Sequence, residues 1–381
     1  MTITPGKTIM QCRKPDHQRV VVHVACFVLI TILFSGSVSA AEPALIDQHV
    51  KVYFQPGRYG GWPANYGIWS WGDEILVGFE LGYHKDLGPG RHAIDRDRPR
   101  VPRFARSLDG GETWDIEEPT LLDIESQPAS QRLPLDFTHP DFALRVPKNG
   151  RRNGYSEIHY SYDRGRTWLH PVKLNIPGLQ ARTDYLIDSK HVCTLFLTSE
   201  KQDGKEGRPL VARSTDGGDS WKFISWIGPE PKGFAIMPAS VRLSDSHILA
   251  VVRSREGPQR WLTAWLSQDN ANTWQQIDDP IDDLGEGNPP SLVKLRDGRL
   301  CLTYGYRAAP FRVAAKLSSD DGNTWSDEIV LRDDGANRDQ GYTRTVQRTD
   351  GRIVTIYYFN DEISGPERYI AATIWSPPSS K

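Results

Sequence analysis

Cysteine is scarce, with four in 381 residues, and that excludes a disulfide-stapled scaffold. Cys12 and Cys26 fall in the N-terminal segment, while Cys193 and Cys301 lie far apart inside apolar, strand-like runs, where two buried thiols are expected. An excess of basic charge is also missing. Forty-six Lys and Arg face forty-eight Asp and Glu, for a net charge of −2, so no basic stripe calls for a nucleic-acid partner. A convincing helical period is absent, as are low-complexity tracts and long linkers after Pro43. The long hydrophobic runs reduce to one, Val20 to Phe34, broken by His23 and Thr31 and short for a membrane-spanning helix. Lys7, Arg13, Lys14 and Arg19 precede it, and Val38-Ser39-Ala40 follows with small residues at −3 and −1. Residues 1–40 thus read as a cleavable export leader. The expected location is secreted or periplasmic, without lasting membrane insertion. Residues 41–381 are long enough for one large domain with a sizeable core. No cluster has metal-ligand spacing, and no Gly-rich segment has the strand–loop–helix setting of a phosphate cradle. No metal and no cofactor are expected.

What the chain does have is one eight-residue phrase written five times. It reads Ser107-Leu-Asp109-Gly-Gly111-Glu-Thr113-Trp114, and it returns at Ser161–Trp168, Ser214–Trp221, Ser267–Trp274 and Ser318–Trp325. The serine-to-serine steps are 54, 53, 53 and 51 residues, a period that marks one repeated, stacked supersecondary unit. The phrase suits a tight hairpin turn. Its Asp accepts backbone N–H groups further on, its Gly supplies a positive φ, and its Trp gives an apolar anchor. In the fourth copy Ala271 replaces that Gly, so the turn there must be altered or strained. Five catalytic aspartates would be another reading, but a structural staple on the outer hairpin of each repeat accounts better for the periodicity.

Between these phrases run short β-prone segments punctuated by Gly, Pro, Asn and Asp. Six of them read as inner strand pairs: 63–79, 139–146, 185–198, 237–253, 290–304 and 342–358. The Asp-Gly turns at 297–298 and 350–351 are hairpin signals. Six inner segments and five phrases leave the last repeat without its own, and Val50–Phe54 is expected to close that repeat as its outer strand.

The phrase Ser-x-Asp-x-Gly-x-Thr/Ser-Trp resembles the Asp box (BNR repeat) of the sialidase, or neuraminidase, family. The resemblance implies an all-β, six-bladed β-propeller of four-stranded antiparallel blades with five Asp boxes. In a propeller the starts of the inner strands line the central funnel. That nominates Asn65, Tyr66, His139, Asp141, Arg182, Asp184, Met237, Asn288, Tyr342 and Arg344, with Glu80, His84, Arg253, Arg255 and Arg307 at the hairpin exits.

The family uses a tyrosine nucleophile activated by a carboxylate base, an Asp acid/base and three arginines that grip the sugar carboxylate. Asp339-Gln-Gly-Tyr342-Thr-Arg344 resembles the segment that opens the family's last blade, so the resemblance makes Tyr342 the nucleophile. Arg253 in Leu-Ala-Val-Val-Arg and Arg307 in Tyr-Gly-Tyr-Arg resemble the second and third gripping arginines. Arg58 and Arg182 are candidates for the remaining one, with Arg344, His139 and Asp184 also expected to bind substrate. Asp95 is the expected acid/base, with Asp86 and Asp97 as rivals. The chain departs from the family in three places. Gly61-Trp62-Pro63 stands where Arg-Ile-Pro opens the first blade. Pro238 occupies the position of the base, leaving Glu286 or Glu230 to replace it. Phe359 replaces the Glu that ends the last hairpin.

The expected function is therefore an exported, retaining glycoside hydrolase of the sialidase type that removes a terminal acidic sugar from a glycoconjugate. A monomer is expected. Two alternatives stand beside it: a uronate polysaccharide lyase, with Tyr342 or His139 as base and Arg182 or Arg344 as cation, and a carbohydrate-binding propeller without catalysis. Trp62 could stack on a sugar face, while packing between blades suits Trp69 and Trp71.

Overall fold

The computed structural model describes residues 44–122, 133–147, 156–176, 179–180 and 182–379; the expected leader lies outside them. Its strands run in six sheets. The chain opens with β1 (Leu45–Tyr53) and enters blade 1 through β2 (Arg58–Gly61), β3 (Ile68–Trp71), β4 (Glu74–Tyr83), β5 (Val101–Ser107) and β6 (Asp115–Glu117). Blade 2 contains β7 (Thr120–Leu122), β8 (Ala143–Arg145), β9 (Glu157–Ser161) and β10 (Thr167–Lys173). Blade 3 is β11 (Tyr185–Ser189), β12 (Val192–Glu200), β13 (Glu206–Ser214) and β14 (Lys222–Trp226). Blade 4 is β15 (Phe234–Arg242), β16 (Ile248–Glu256), β17 (Gln259–Ser267) and β18 (Gln275–Ile281). Blade 5 is β19 (Ser291–Lys294), β20 (Leu300–Tyr306), β21 (Arg312–Ser318) and β22 (Ile329–Arg332). The last sheet is built from β23 (Gly341–Gln347), β24 (Ile353–Phe359) and β25 (Tyr369–Ser376), and β1 pairs antiparallel with β25 to complete it.

The expected six-bladed, all-β propeller is thus present, closed as expected by the first strand of the domain. Strands β12 and β24 are buried almost without alternation, because neighbouring blades cover both of their faces. Trp168 shows the packing between blades: it stacks on Phe104 at 5.4 Å and lies 5.4 Å from Trp69. Cys193 and Cys301 are separate buried thiols.

Each Asp box folds as a staple. In the first copy Gly111 N–H donates to Ser107 Oγ at 2.7 Å and Thr113 N–H to Asp109 Oδ1 at 2.9 Å. The same Asp–N–H bond recurs at Asp163, Asp216, Asp269 and Asp320. Ala271 keeps the turn by adopting φ +66°, beside Gly values of +76° to +96° in the other copies.

Two blades depart from the simple pattern. In blade 1 the innermost strand is split. β3 pairs with the first half of β4 and β2 with the second, and Trp62–Gly67 loops out between them around a 3-10 turn, Pro63–Asn65. In blade 2 the short β7 lies on the outside, parallel to β10, so β8 is innermost. The chain enters β8 from the Asp-box side: Leu135 N–H donates to Gly217 O and Phe137 N–H to Lys190 O.

Candidate functional site

At the ends of the inner strands away from the Asp boxes lies a cavity of about 880 Å³. Blade 1 lines it with Trp62, Asn65, Tyr66 and Glu80, blade 2 with Arg145 and His159, blade 3 with Arg182, Glu200 and Glu206, and the last blade with Tyr342; His92 reaches it from the loop after β4. Three non-glycine residues near its floor, Trp62, Met237 and Tyr342, have φ between +53° and +56°. Left-handed backbone at bulky residues persists where the surroundings impose it.

At Tyr342 the imposing residue is Asn288. Its buried amide accepts Tyr342 N–H at 2.9 Å and donates to Gln340 O at 3.2 Å. Gly341 and Gly305 leave room for it, since a Cβ on either would come within 2.5 Å of Asn288 Nδ2. The register slips between Gly341 and Arg344, and this bulge re-aims the tyrosine. Tyr342 OH then lies 3.4 Å from Arg253 Nη1, and Arg307 sits 5.2 Å from the ring centre. Burial alone would raise the phenol's pKa, but the charges of Arg253, Arg307 and Arg182 outweigh it and hold the pKa below its ordinary value.

The expected arginines fall into different places. Arg182 lines the cavity, oriented by Asn65 Oδ1 at 2.8 Å and by Glu206 at 3.3 Å. Arg253 points its Nη1 at Tyr342 and keeps a buried Nε without a partner. Arg307 is buried and donates to Gln340 O, Gly287 O and Tyr358 OH, so it contributes charge rather than a free fork. Arg344 crosses between blades to donate to Ala64 O at 2.6 Å and Thr183 O at 2.7 Å, which makes it a strut. Beside it, burial pushes the Asp184 carboxyl up to about 7 despite Arg344, and Ser240 donates to it.

Four of the expected residues lie outside the cavity lining. Arg58 stacks on Tyr83 at 4.1 Å and donates to Gly82 O, outside the cavity lining. His139 accepts Asp141 N–H on the Asp-box side of blade 2, where the chain enters β8. Asp95 lies on the loop after β4, where Asp97 N–H and Lys85 hold its pKa below the usual carboxylate value. Glu286 is half-exposed and paired with Arg338. Among the described residues no carboxylate hydrogen-bonds to Tyr342.

Sequence reasoning missed His92 as a site residue. Its Nδ1 lies 2.5 Å from Asp339 Oδ1, and its ring meets Trp62 edge-on at 5.0 Å. Asp339 also accepts Ala93 N–H, Tyr358 OH and Arg368 Nε. Although Asp339 is buried, His92, Arg368 and Arg307 keep it well below the ordinary carboxylate range. Burial lowers the His92 pKa below 6.5 in spite of Asp339. The imidazole is thus oriented by a carboxylate, with Nε2 left for chemistry. His92 and Asp339 are 247 residues apart in sequence, and only the neighbourhood of Asp339 to Tyr342 hinted at the pair.

A family model described as BNR repeat-like domain matches residues 194–355. No curated protein matches the chain. Among solved structures, a protein of unknown function from Dyadobacter fermentans is 20% identical, with a TM-score of 0.66, covering 87% of this chain and 99% of that one. The NanB sialidase of Streptococcus pneumoniae is 14% identical over 85% of this chain and 69% of that one, with a TM-score of 0.54. The α-L-arabinofuranosidase Arb93A of Fusarium graminearum is 14% identical over 88% and 97%, with a TM-score of 0.51. At these identities the likeness is one of fold: residues 194–355 match the BNR repeat-like model, and the six-bladed propeller is the architecture these structures share with this chain.

Proposed function

We propose that the chain is an exported glycosidase for a terminal acidic sugar, with Tyr342 as nucleophile. The observation that carries this reading is the Tyr342 phenol, fixed by Asn288 at the cavity and activated by Arg253 and its neighbours. Arg253 and Arg182 are the cations placed to meet the sugar carboxylate. Tyr342 Oη, ionised by loss of its proton to solvent, attacks the anomeric carbon, the glycosidic C–O bond breaks, and the leaving oxygen takes a proton from His92 Nε2. Neutral His92 then removes a proton from water, which releases the sugar with retained configuration. No cofactor takes part in this scheme.

A second reading, β-elimination on a uronate chain, is favoured by one observation: Tyr342 lacks a carboxylate partner among the described residues, and burial, which lowers the His92 pKa, suits the imidazole to act as a base. Here neutral His92 Nε2 removes the proton α to the carboxylate, Arg253 stabilises the enolate, and the β C–O bond breaks to leave a C=C bond while the leaving oxygen takes a proton from solvent.

The two readings give opposite pH responses. As acid, His92 must be protonated, so hydrolysis falls as pH rises through its pKa below 6.5; as base it must be neutral, so elimination rises over the same interval. The test incubates the protein with a fluorogenic sialoside and, separately, with uronate polysaccharides. Fluorophore release that declines with pH and disappears in Tyr342→Phe supports the glycosidase. Growth of ultraviolet absorbance from an unsaturated product, increasing with pH, replaces it with the lyase.

A further inference from the structure

Among the described residues, buried arginines have partners, with one exception. Arg106 pairs with Glu74 and Glu117, Arg368 with Asp339, and Arg348 with Glu112 and Asp350. Arg145, at the end of β8, is 5% exposed and lines the cavity, yet among the described residues its buried Nε has no hydrogen-bond partner and no carboxylate pairs with it. Its guanidinium lies 4.9 Å from the Trp168 ring centre and 5.5 Å from that of Phe104. Ring faces attract a cation but accept none of its five directional N–H groups in the plane of the fork. A buried charge left this way is strongly unfavourable until an anion meets it. Burial has already pulled the guanidinium down to about 10 from its usual value, against a smaller opposing effect of Tyr66.

We infer that Arg145 forms a second anion subsite of the cavity, which takes an oxyanion, carboxylate or sulfate ester, on the sugar next to the one attacked at Tyr342. This rests on the carbohydrate reading of the cavity and extends it. Arg145 stands on blade 2 and the Tyr342–Arg253 pair on the last blade and blade 4, with the Trp62–Tyr66 loop of blade 1 also lining the space. One anion at Arg253 leaves Arg145 unmet, so the substrate is an oligosaccharide with acidic groups on two adjacent residues. The planar fork binds either anion in two-point fashion, and the aromatic rings behind it hold the guanidinium in place.

The test is calorimetric titration of the intact protein with glucuronate, glucose 6-sulfate and glucose, in wild type, Arg145→Met, Arg145→Lys and Arg253→Met. The wild type should bind both anions and not glucose, at two sites. Arg145→Met should lose one site, with affinity there falling at least about tenfold, and Arg253→Met should retain it. Which anion binds tighter at that site identifies carboxylate or sulfate. The melting temperature of Arg145→Met should be unchanged or higher, since an unpaired buried charge has gone. Unchanged anion binding in both Arg145 variants, or a lowered melting temperature with binding intact, would overturn the inference and make Arg145 a strut for Trp168. Should Arg145→Met fail to fold, Arg145→Lys decides: weakened binding supports the subsite and unaltered binding refutes it. Binding needs no turnover, so a failure of the catalytic reading leaves this result separately visible.

Discussion

Asn288 sets the position of Tyr342 through the backbone. It holds a left-handed backbone at a bulky residue and so fixes the phenol near Arg253. In Asn288→Ala that constraint disappears, and a displacement of about 1 Å is enough for a loss of about 10²-fold. The loss should appear in kcat while anion affinity at Arg145 stays at wild-type level; equal losses in both would mean that the cavity itself had collapsed. At this scale the sequence was legible where a residue opens an inner strand. Tyr342 and Arg182 line the cavity as expected, and Arg253 contacts the tyrosine from a hairpin exit. Legibility failed where position depends on loops or on the other side of the ring. Asp95 and Glu286 sit on loops whose course no periodicity dictates. Arg307 and Arg344 carry the expected residue type but bind backbone carbonyls, and that becomes visible only when blades are assembled. Arg145 gave no local signal, because its lack of a partner is a property of the packed interior.

The elements are set by the Asp boxes, whose period made the blades countable. The fourth box tests how much of the motif is turn and how much is packing. Ala271 adopts φ +66° and is completely buried. Its left-handed strain costs about 1–2 kcal/mol, while its methyl contributes about 0.8 kcal/mol by burial and glycine would lose about 0.5–1 kcal/mol more chain entropy. Ala271→Gly should therefore shift stability by less than about 1 kcal/mol. Asp269→Ala removes the carboxylate that accepts Thr273 N–H and Oγ1, and should cost about 2 kcal/mol. Denaturant titration of both checks the order; a larger loss from Ala271→Gly would show that the methyl, not the turn, matters most. Blade 2 escaped the same logic. Its displaced β7 is three residues long, too short to show which edge of a sheet it joins, and His139 was misplaced with it.

For the whole molecule the boxes act together. Hydrogen bonds from Thr113 and Ser220 help to lower Asp109 and Asp216 to about 2, against burial at Asp109, and Asp269 and Asp320 shift the same way. Carboxylates whose folded pKa is depressed contribute stability that is present above their unfolded value and lost as pH falls through the folded one. The melting temperature should hold above about pH 4 and drop between pH 4 and 2; a flat profile across that window would contradict the assignment.

The ring closes where β1 meets β25, and His49 touches Thr373 across 324 residues. A contact of that separation forms late and slowly. A growing or truncated polypeptide that lacks its final strand leaves β1 without its partner and β24 with a bare edge, open to β-pairing with another molecule. The clasp thus makes completeness a condition of solubility: a shortened product should aggregate rather than persist as a smaller propeller.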